Sequence, residues 1–255
     1  IESRRTCQRI YVLSLGKSTN YGENMSQTYD LKVGNLPVLI SMPHNGESIP
    51  DDIAAIMTPK ALTVPDTDWY KDRLYDFAQE MGESILKPKY NRYVIDLNRD
   101  PDGVDLYPGA NSTELCPTTA FDLSPLYQDG KSPSKAEQQQ RTDIYWRPYH
   151  QAIQKTLADM KAKYGVAILL EAHSILSHVP RFFDGQLPDF NFGNSNGASC
   201  GARLMLDIDQ VDFAPYSSIT NGRFKGGYIT RAYGDTENNI NAGQLELSQR
   251  KYMNE

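Results

Sequence analysis

No run of apolar residues in this 255-residue sequence approaches the ~18 that a membrane-spanning helix needs, and the apolar stretch at 9–16 is too short and too poorly flanked for a signal peptide. A soluble chain is therefore expected. Cysteine is scarce: Cys7, Cys116 and Cys200 are an odd number with no Cys-x-x-Cys pair. That excludes a disulfide framework and a thiolate metal site, and it makes the reducing cytoplasm the expected location. Positive charge is in deficit, with 26 Lys and Arg against 32 Asp and Glu and a net charge of -6. With no basic stripe, the long-range field repels nucleic acid and anionic membrane, so neither is an expected partner. A small anionic substrate would have to be captured by individually placed arginines. Internal repeats and low-complexity segments are absent as well. Nothing in the sequence sets an oligomeric state.

What is present reads as one core. The 39% hydrophobic content suffices for a single domain, assigned to 25–255. Residues 1–24 lack an initiating Met and a clear periodicity, and are set apart as an irregular extension. The apolar run 36–42, stopped by Pro43 and Gly46, reads as a buried strand. Tyr70, Leu74, Phe77, Ala78 and Met81 then fall at helical spacing, with Asp66 or Thr67 as a cap and Gly82 as a stop. A second strand is expected at 93–97. The stretch 100–134, crowded with Pro, Gly, Asp and Ser, reads as a long ordered excursion of the kind that carries function. A long helix with Tyr145, Tyr149, Ile153, Leu157, Met160 and Tyr164 on one face leads into a third strand at 166–170. Later strands are expected at 227–230 and 244–247. Strands alternating with helices predict an α/β fold, a mostly parallel mixed sheet flanked by helices on both faces.

In such sheets ligands sit beyond the carboxyl ends of strands. The residues there are Pro43-His44-Asn45-Gly46-Glu47 after the first strand, Asn98-Arg99-Asp100 after the second, and Glu171-Ala172-His173-Ser174 after the third. His44 and Glu47, spaced i, i+3, point an imidazole and a carboxylate the same way on one helical turn. With His173 they make a two-imidazole, one-carboxylate set that suits catalytic Zn²⁺ and leaves a position open. Taken singly, each histidine is more readily a turn or core residue; the joint placement beside Asn98 and Arg99 favours a metal. His150, near the apolar stripe of the long helix, reads as packing, and His178 as an outer or exposed residue.

His44-x-x-Glu47, Arg92, Asn98-Arg99, a distant His173 and a late Glu246 resemble in order the zinc carboxypeptidase and aspartoacylase group. More closely, SMPHNGESIP at 41–50, DTDWYKDRLYDFA at 66–78, NRYVIDLNRDPDG at 91–103, LYPG at 106–109, YWRPYH at 145–150, EAHSILSHVPR at 171–181, GRFKGGYITRAYG at 222–234 and QLELSQRKYM at 244–253 are similar to the N-formylglutamate amidohydrolase family. The resemblance implies a zinc-carboxypeptidase-like, three-layer fold and one Zn²⁺ per chain, another divalent cation being the alternative. It implies hydrolysis of N-formyl-L-glutamate to glutamate and formate, a step of histidine degradation. Glu246 is then the acid/base and Arg92 the oxyanion donor. Asn98 and Arg99 would grip the α-carboxylate, with Arg181, Arg223 or Arg231 on the second carboxylate. Asp68 stands as a partner orienting a ligand histidine. The chain departs from the family pattern at Ala232 and Asn241, where His is expected, and at Glu171, where Asp is expected.

Two other hydrolase readings fail on context. Gly197-Ala198-Ser199-Cys200-Gly201 matches Gly-x-Ser-x-Gly, but the preceding residues PDFNFGNSN do not read as the strand a nucleophile elbow needs, and the last histidine is His178. Cys116 and Cys200 lack any nucleophile signature. Deacylation of N-acetylaspartate or N-succinylglutamate, and a non-catalytic carboxylate-binding relative, remain the alternatives.

Overall fold

The computed structural model describes residues 28–105, 109 and 111–255. The extension expected at 1–24, Cys7 and most of the LYPG motif lie outside the described residues. Seven strands form one mixed sheet in the order β1-β3-β2-β4-β7-β5-β6. They are β1 Tyr29–Lys32, β2 Val38–Ser41, β3 Ser84–Pro88, β4 Ala167–Ile175, β5 Phe190–Gly193, β6 Ser218–Thr220 and β7 Ile240–Ser248. The central pairs β3/β2, β2/β4 and β4/β7 are parallel, as is β5/β6, whereas β1/β3 and β5/β7 are antiparallel.

Alternation along the central strands assigns the two faces. Leu39, Leu86, Leu169 and Ala242 pack with Tyr149, Ile153, Leu157 and Met160 of α5 (Arg147–Tyr164) and with Ile229 of α7 (Tyr228–Tyr233). Ile40, Met42 and Ala172 pack on the opposite side with Tyr75 and Ala78, the latter on α3 (Asp76–Met81). Helices therefore cover both faces, as the alternation of elements predicts. Gly165, at φ 76, closes α5 in a left-handed cap and releases the chain into β4.

The long helix begins earlier than the apolar stripe suggests. A capping box at Ser134 and Glu137 opens α4 (Lys135–Arg141), and a π-helical turn at Thr142–Trp146 joins it to α5. Pro148, which has no N–H to give, sits in the first turn after that bulge.

Four expectations are corrected. Residues 93–97 are not a strand but a fully buried loop; the strand beside β2 is β3. Side chains from the helical layer replace the missing ladder: Arg141 donates to the Val94 carbonyl, His150 to the Leu97 carbonyl and Trp146 to the Arg99 carbonyl. A buried apolar run is thus compatible with either a ladder or side-chain donors, and periodicity cannot separate them. Residues 227–230 are not a strand either; they open α7. The helix expected across 66–81 starts only at Lys71, because Tyr70 takes a left-handed conformation at φ 58, and Tyr75, at φ -117 and ψ 18, divides it into α2 (Lys71–Leu74) and α3. Finally, the third strand does not end at Leu170: β4 runs on to Ile175 and carries Glu171 and His173 within it. The excursion at 100–134 holds no helix or strand among its described residues, as expected.

His150 stacks on Trp146 with ring centroids 3.5 Å apart, and Tyr233 closes its other nitrogen at 2.8 Å. Burial pulls its pKa down to about 3. The folded state thus holds a neutral ring that the unfolded chain protonates near pH 6.5, so its contribution is full above that pH and is lost as pH falls towards 3. His150→Leu should leave the Leu97 carbonyl unpaired and cost about 1–3 kcal/mol in urea unfolding at pH 7.

Candidate metal centre and active site

β2 pairs with β4 only as far as Ser41 opposite Glu171, whereas β7 accompanies β4 to Ile175. Past Ser41 the chain leaves the sheet and drops His44 beside His173, with ring centroids 4.8 Å apart. The Asp68 backbone N–H donates to the His44 carbonyl at 3.0 Å, which brings Asp68 against both rings. The left-handed Tyr70 that follows turns Lys71 inward too. Donor atoms of His44, Asp68 and His173 all lie within 4.8 Å of one another, and all three residues are buried.

The rings are oriented from behind. His44 faces Asp68 with Nδ1 at 3.9 Å and Asp96 with Nε2 at 2.7 Å. His173 faces Asp68 with Nδ1 at 3.2 Å, while Nε2 lies 3.7 Å from Glu171. Two imidazole nitrogens and a carboxylate oxygen, with a carboxylate behind a ring, are donors that suit a divalent ion such as Zn²⁺.

Glu47, expected as the carboxylate ligand, is exposed and belongs neither to this cluster nor to the cavity beside it. The i, i+3 argument presumes a helical turn after His44, and the chain makes none there. Asp68, assigned from sequence to an orienting role, stands in the cluster instead. Lys71 and Asp96 were missed as site residues. Lys71 is fully buried and donates to the His173 carbonyl at the edge that β2 leaves open. Asp96, also fully buried, accepts from His44, from Arg92 Nη2 at 2.5 Å and from the Asn98 backbone at 2.9 Å. The acidic doublet Asp66-Thr67-Asp68 followed by Lys71 is the signal in the sequence; both acids are buried, and only their partners separate them, Asp66 accepting from Tyr93 and Phe121 while Asp68 lies against the two imidazoles.

Glu246 lies opposite His173 in register on β7, on the same face, and is buried. Burial raises its pKa to about 7, against the pull of His173, Lys71 and Arg92. Lys71 is lowered to about 8 by burial. Burial also lowers His44, with Arg92 adding to the effect. It pulls His173 down too, but the hydrogen bond to Asp68 and the Glu171 carboxylate outweigh it and push that ring up to about 10. The carboxylates around His173 thus favour positive charge at that ring. Asp96 is held well below the carboxylate range because Arg92, His44 and Arg99 outweigh its burial.

His44, Asp68, His173 and Glu246 line a cavity of about 740 Å³ that also takes in Arg99, Thr113, Phe121, Phe182, Arg223 and Phe224. Arg92 is buried over the Phe121 ring, and its Nε has no hydrogen-bond partner among the described residues. Arg223 is exposed at the cavity and has no polar partner among the described residues. The other expected carboxylate binders are engaged elsewhere. Arg99 reaches the cavity but donates to Thr113 and to the Asn98 carbonyl. The Asn98 amide is spanned between Ile229 N at 2.9 Å and His173 Nε2 at 3.1 Å. Arg181 clamps Asn111, Ser112, Thr119 and Ala120, and Arg231 is exposed and donates to the Gly226 carbonyl; neither lines the cavity.

Residues 36–253 match the family model for N-formylglutamate amidohydrolase. The chain belongs to the N-formylglutamate amidohydrolase family. Within the family it is 48% identical over 233 residues to an N-formylglutamate deformylase of Pseudomonas aeruginosa, and 46% identical to that of Pseudomonas putida. Each alignment covers 91% of this chain and 87% of the relative. The crystal structure of N-formylglutamate amidohydrolase from Ralstonia eutropha JMP134 superposes with a TM-score of 0.77 at 25% identity, covering 90% of this chain and 88% of that one. The departures from the family pattern at Ala232 and Asn241 fall outside the cavity: Ala232 is exposed on α7, and Asn241 accepts from Gly201 N at 2.8 Å. Among the described residues no helix is long and apolar enough to cross a membrane.

Proposed function

We propose that this chain hydrolyses N-formyl-L-glutamate to L-glutamate and formate at a zinc centre held by His44, Asp68 and His173. The observation that carries the reading is the meeting of that donor set with Glu246 in the lining of a cavity, in a chain of this family. When bound, the ion supplies Lewis-acid activation of a water molecule and of the formyl oxygen. Glu246, buried with a pKa near that of neutral solution, accepts the proton from the attacking water and passes it to the departing amine nitrogen. The unfilled Nε of Arg92 faces the charge that develops on the formyl oxygen, while Asp96 holds the guanidinium in place. Arg223 captures a carboxylate of the substrate as it enters, its planar fork suited to bidentate pairing. The aromatic wall of Phe121, Phe182 and Phe224 keeps water from one side of the cavity. A cytoplasmic place in histidine degradation is the setting this substrate suggests.

Formate, acetate and succinate release from the matching N-acyl glutamates and aspartates tests the substrate. Formate from formylglutamate is the expected product, and turnover of an acetyl or succinyl substrate with formylglutamate inert would overturn it. Arg223→Ala is expected to raise KM about tenfold or more with little change in kcat, the mark of a binding contact made equally in ground and transition states. An unchanged KM would remove Arg223 from the site.

A further inference from the structure

Asp68 reaches the two imidazoles from outside the sheet. It lies in the turn between β2 and α2, in no helix or strand, so no ladder sets its distance from His173 on β4. Two hydrogen bonds hold the peptide unit between Thr67 and Asp68 from opposite ends. Its N–H, that of Asp68, donates to the His44 carbonyl at 3.0 Å. Its carbonyl, that of Thr67, accepts from the Gln249 side-chain amide at 3.0 Å.

Gln249 is buried and is the first residue after β7. A carbonyl can only accept, so the amide must turn its nitrogen, and not its oxygen, to Thr67. The same nitrogen lies 3.4 Å from Ser174 Oγ and 3.5 Å from the Ser174 carbonyl, within reach of its second hydrogen. Ser174 follows His173, and its N–H donates to Asp68 Oδ2 at 3.1 Å. The residue before Asp68 and the residue after His173 thus meet on one amide nitrogen. Behind it the chain turns on the Gln249 carbonyl, which accepts from the Tyr252 and Met253 backbone at 3.0 Å each. That turn brings the Tyr252 hydroxyl to Ser174 Oγ at 2.6 Å. Gln249 does not line the cavity, so it does not touch substrate. An apolar side chain of the same length would serve packing alone.

We infer that Gln249 is a positioning residue for Asp68: its amide nitrogen fixes the Thr67 carbonyl beside Ser174, and with it the reach of the Asp68 carboxylate to His44 and His173. It also ties the turn that carries Asp68 to the end of β7, three residues past Glu246. The inference rests on the metal reading above.

Gln249→Met keeps the length and removes the donor. In the metal-free protein, the Asp68 and Ser174 amide protons are expected to exchange about tenfold faster or more in the variant, while those of β3 keep their wild-type rates. Against a competing chromophoric chelator, Zn²⁺ affinity is expected to fall about tenfold, the lower end of the cost of losing a partner behind a ligand, because Gln249 acts through the backbone. KM for formylglutamate at saturating Zn²⁺ stays unchanged. A purely structural role would lower the Tm equally with and without Zn²⁺, whereas a positioning role also shrinks the rise in Tm that Zn²⁺ confers. Unaltered Zn²⁺ affinity and an unaltered rise in Tm would overturn the proposal. Should Gln249→Met fail to fold, Gln249→Asn decides: it keeps the amide one methylene short of Thr67, is expected to weaken Zn²⁺ binding in the same direction, and refutes the role if nothing changes. A wild-type protein that binds no Zn²⁺ refutes the metal reading instead, and amide exchange in the metal-free protein still decides the role of Gln249.

Discussion

Asp68→Ala is expected to abolish ion retention and formate release together, whereas Glu47→Ala is expected to leave both intact. Asp68 is buried against two imidazole nitrogens, and its Oδ2 also accepts from Ser174 N at 3.1 Å, so its carboxylate is already held in place for a cation. Removing one of three ligands should cost more than the roughly 10- to 100-fold loss of affinity that follows removal of a partner behind a ligand. Glu47 is exposed and stands off the cavity, so its charge is screened. Metal content of the purified variants and a formate assay check both halves. An Asp68→Ala protein that keeps its ion, or a Glu47→Ala protein that loses it, would return the ligand role to the spacing suggested by the sequence.

Glu246→Gln is expected to lower kcat about 10²- to 10⁴-fold while ion and substrate still bind. The amide keeps the shape of the side chain on β7 and removes the proton acceptor. The pH profile provides a second readout. Glu246 must be ionised to accept a proton, so activity falls as pH drops through its pKa. Burial sets that value at about 7 without an ion, and a dication beside it favours the carboxylate, so the acid limb should lie at or below about 7. Glu246→Gln should lack this limb. A variant with near-normal kcat and an unchanged acid limb would assign the proton transfer to another group.

Much of the architecture was legible because burial on both faces leaves a simple mark. The run at 36–42 and the start of β4 are continuously apolar and form the sheet's centre, and the stripe from Tyr149 to Met160 packs on it. The alternation of Leu245, Glu246 and Leu247 already placed Glu246 opposite its neighbours. What could not be read were the elements whose backbone is satisfied by distant side chains. Residues 93–97 are as apolar as a strand, but their carbonyls meet Arg141 and His150, which lie far along the chain. The helix at 66–81 was legible in its later turns; its late start after Tyr70 was not, since a left-handed aromatic residue persists only where the surrounding structure fixes it.

By itself the sequence determined that this is an α/β chain of the N-formylglutamate amidohydrolase family, with His44, His173, Arg92 and Glu246 as the residues to watch, because residue type and order survive without coordinates. The tertiary structure alone decided which carboxylate joins the two imidazoles and which arginine stands at the cavity without a polar partner among the described residues. Those choices depend on where β2 stops beside β4, on a turn at Tyr70 and on hydrogen bonds that occupy Arg99 and Arg181. Such facts concern distances between remote parts of the chain, and no local spacing encodes them.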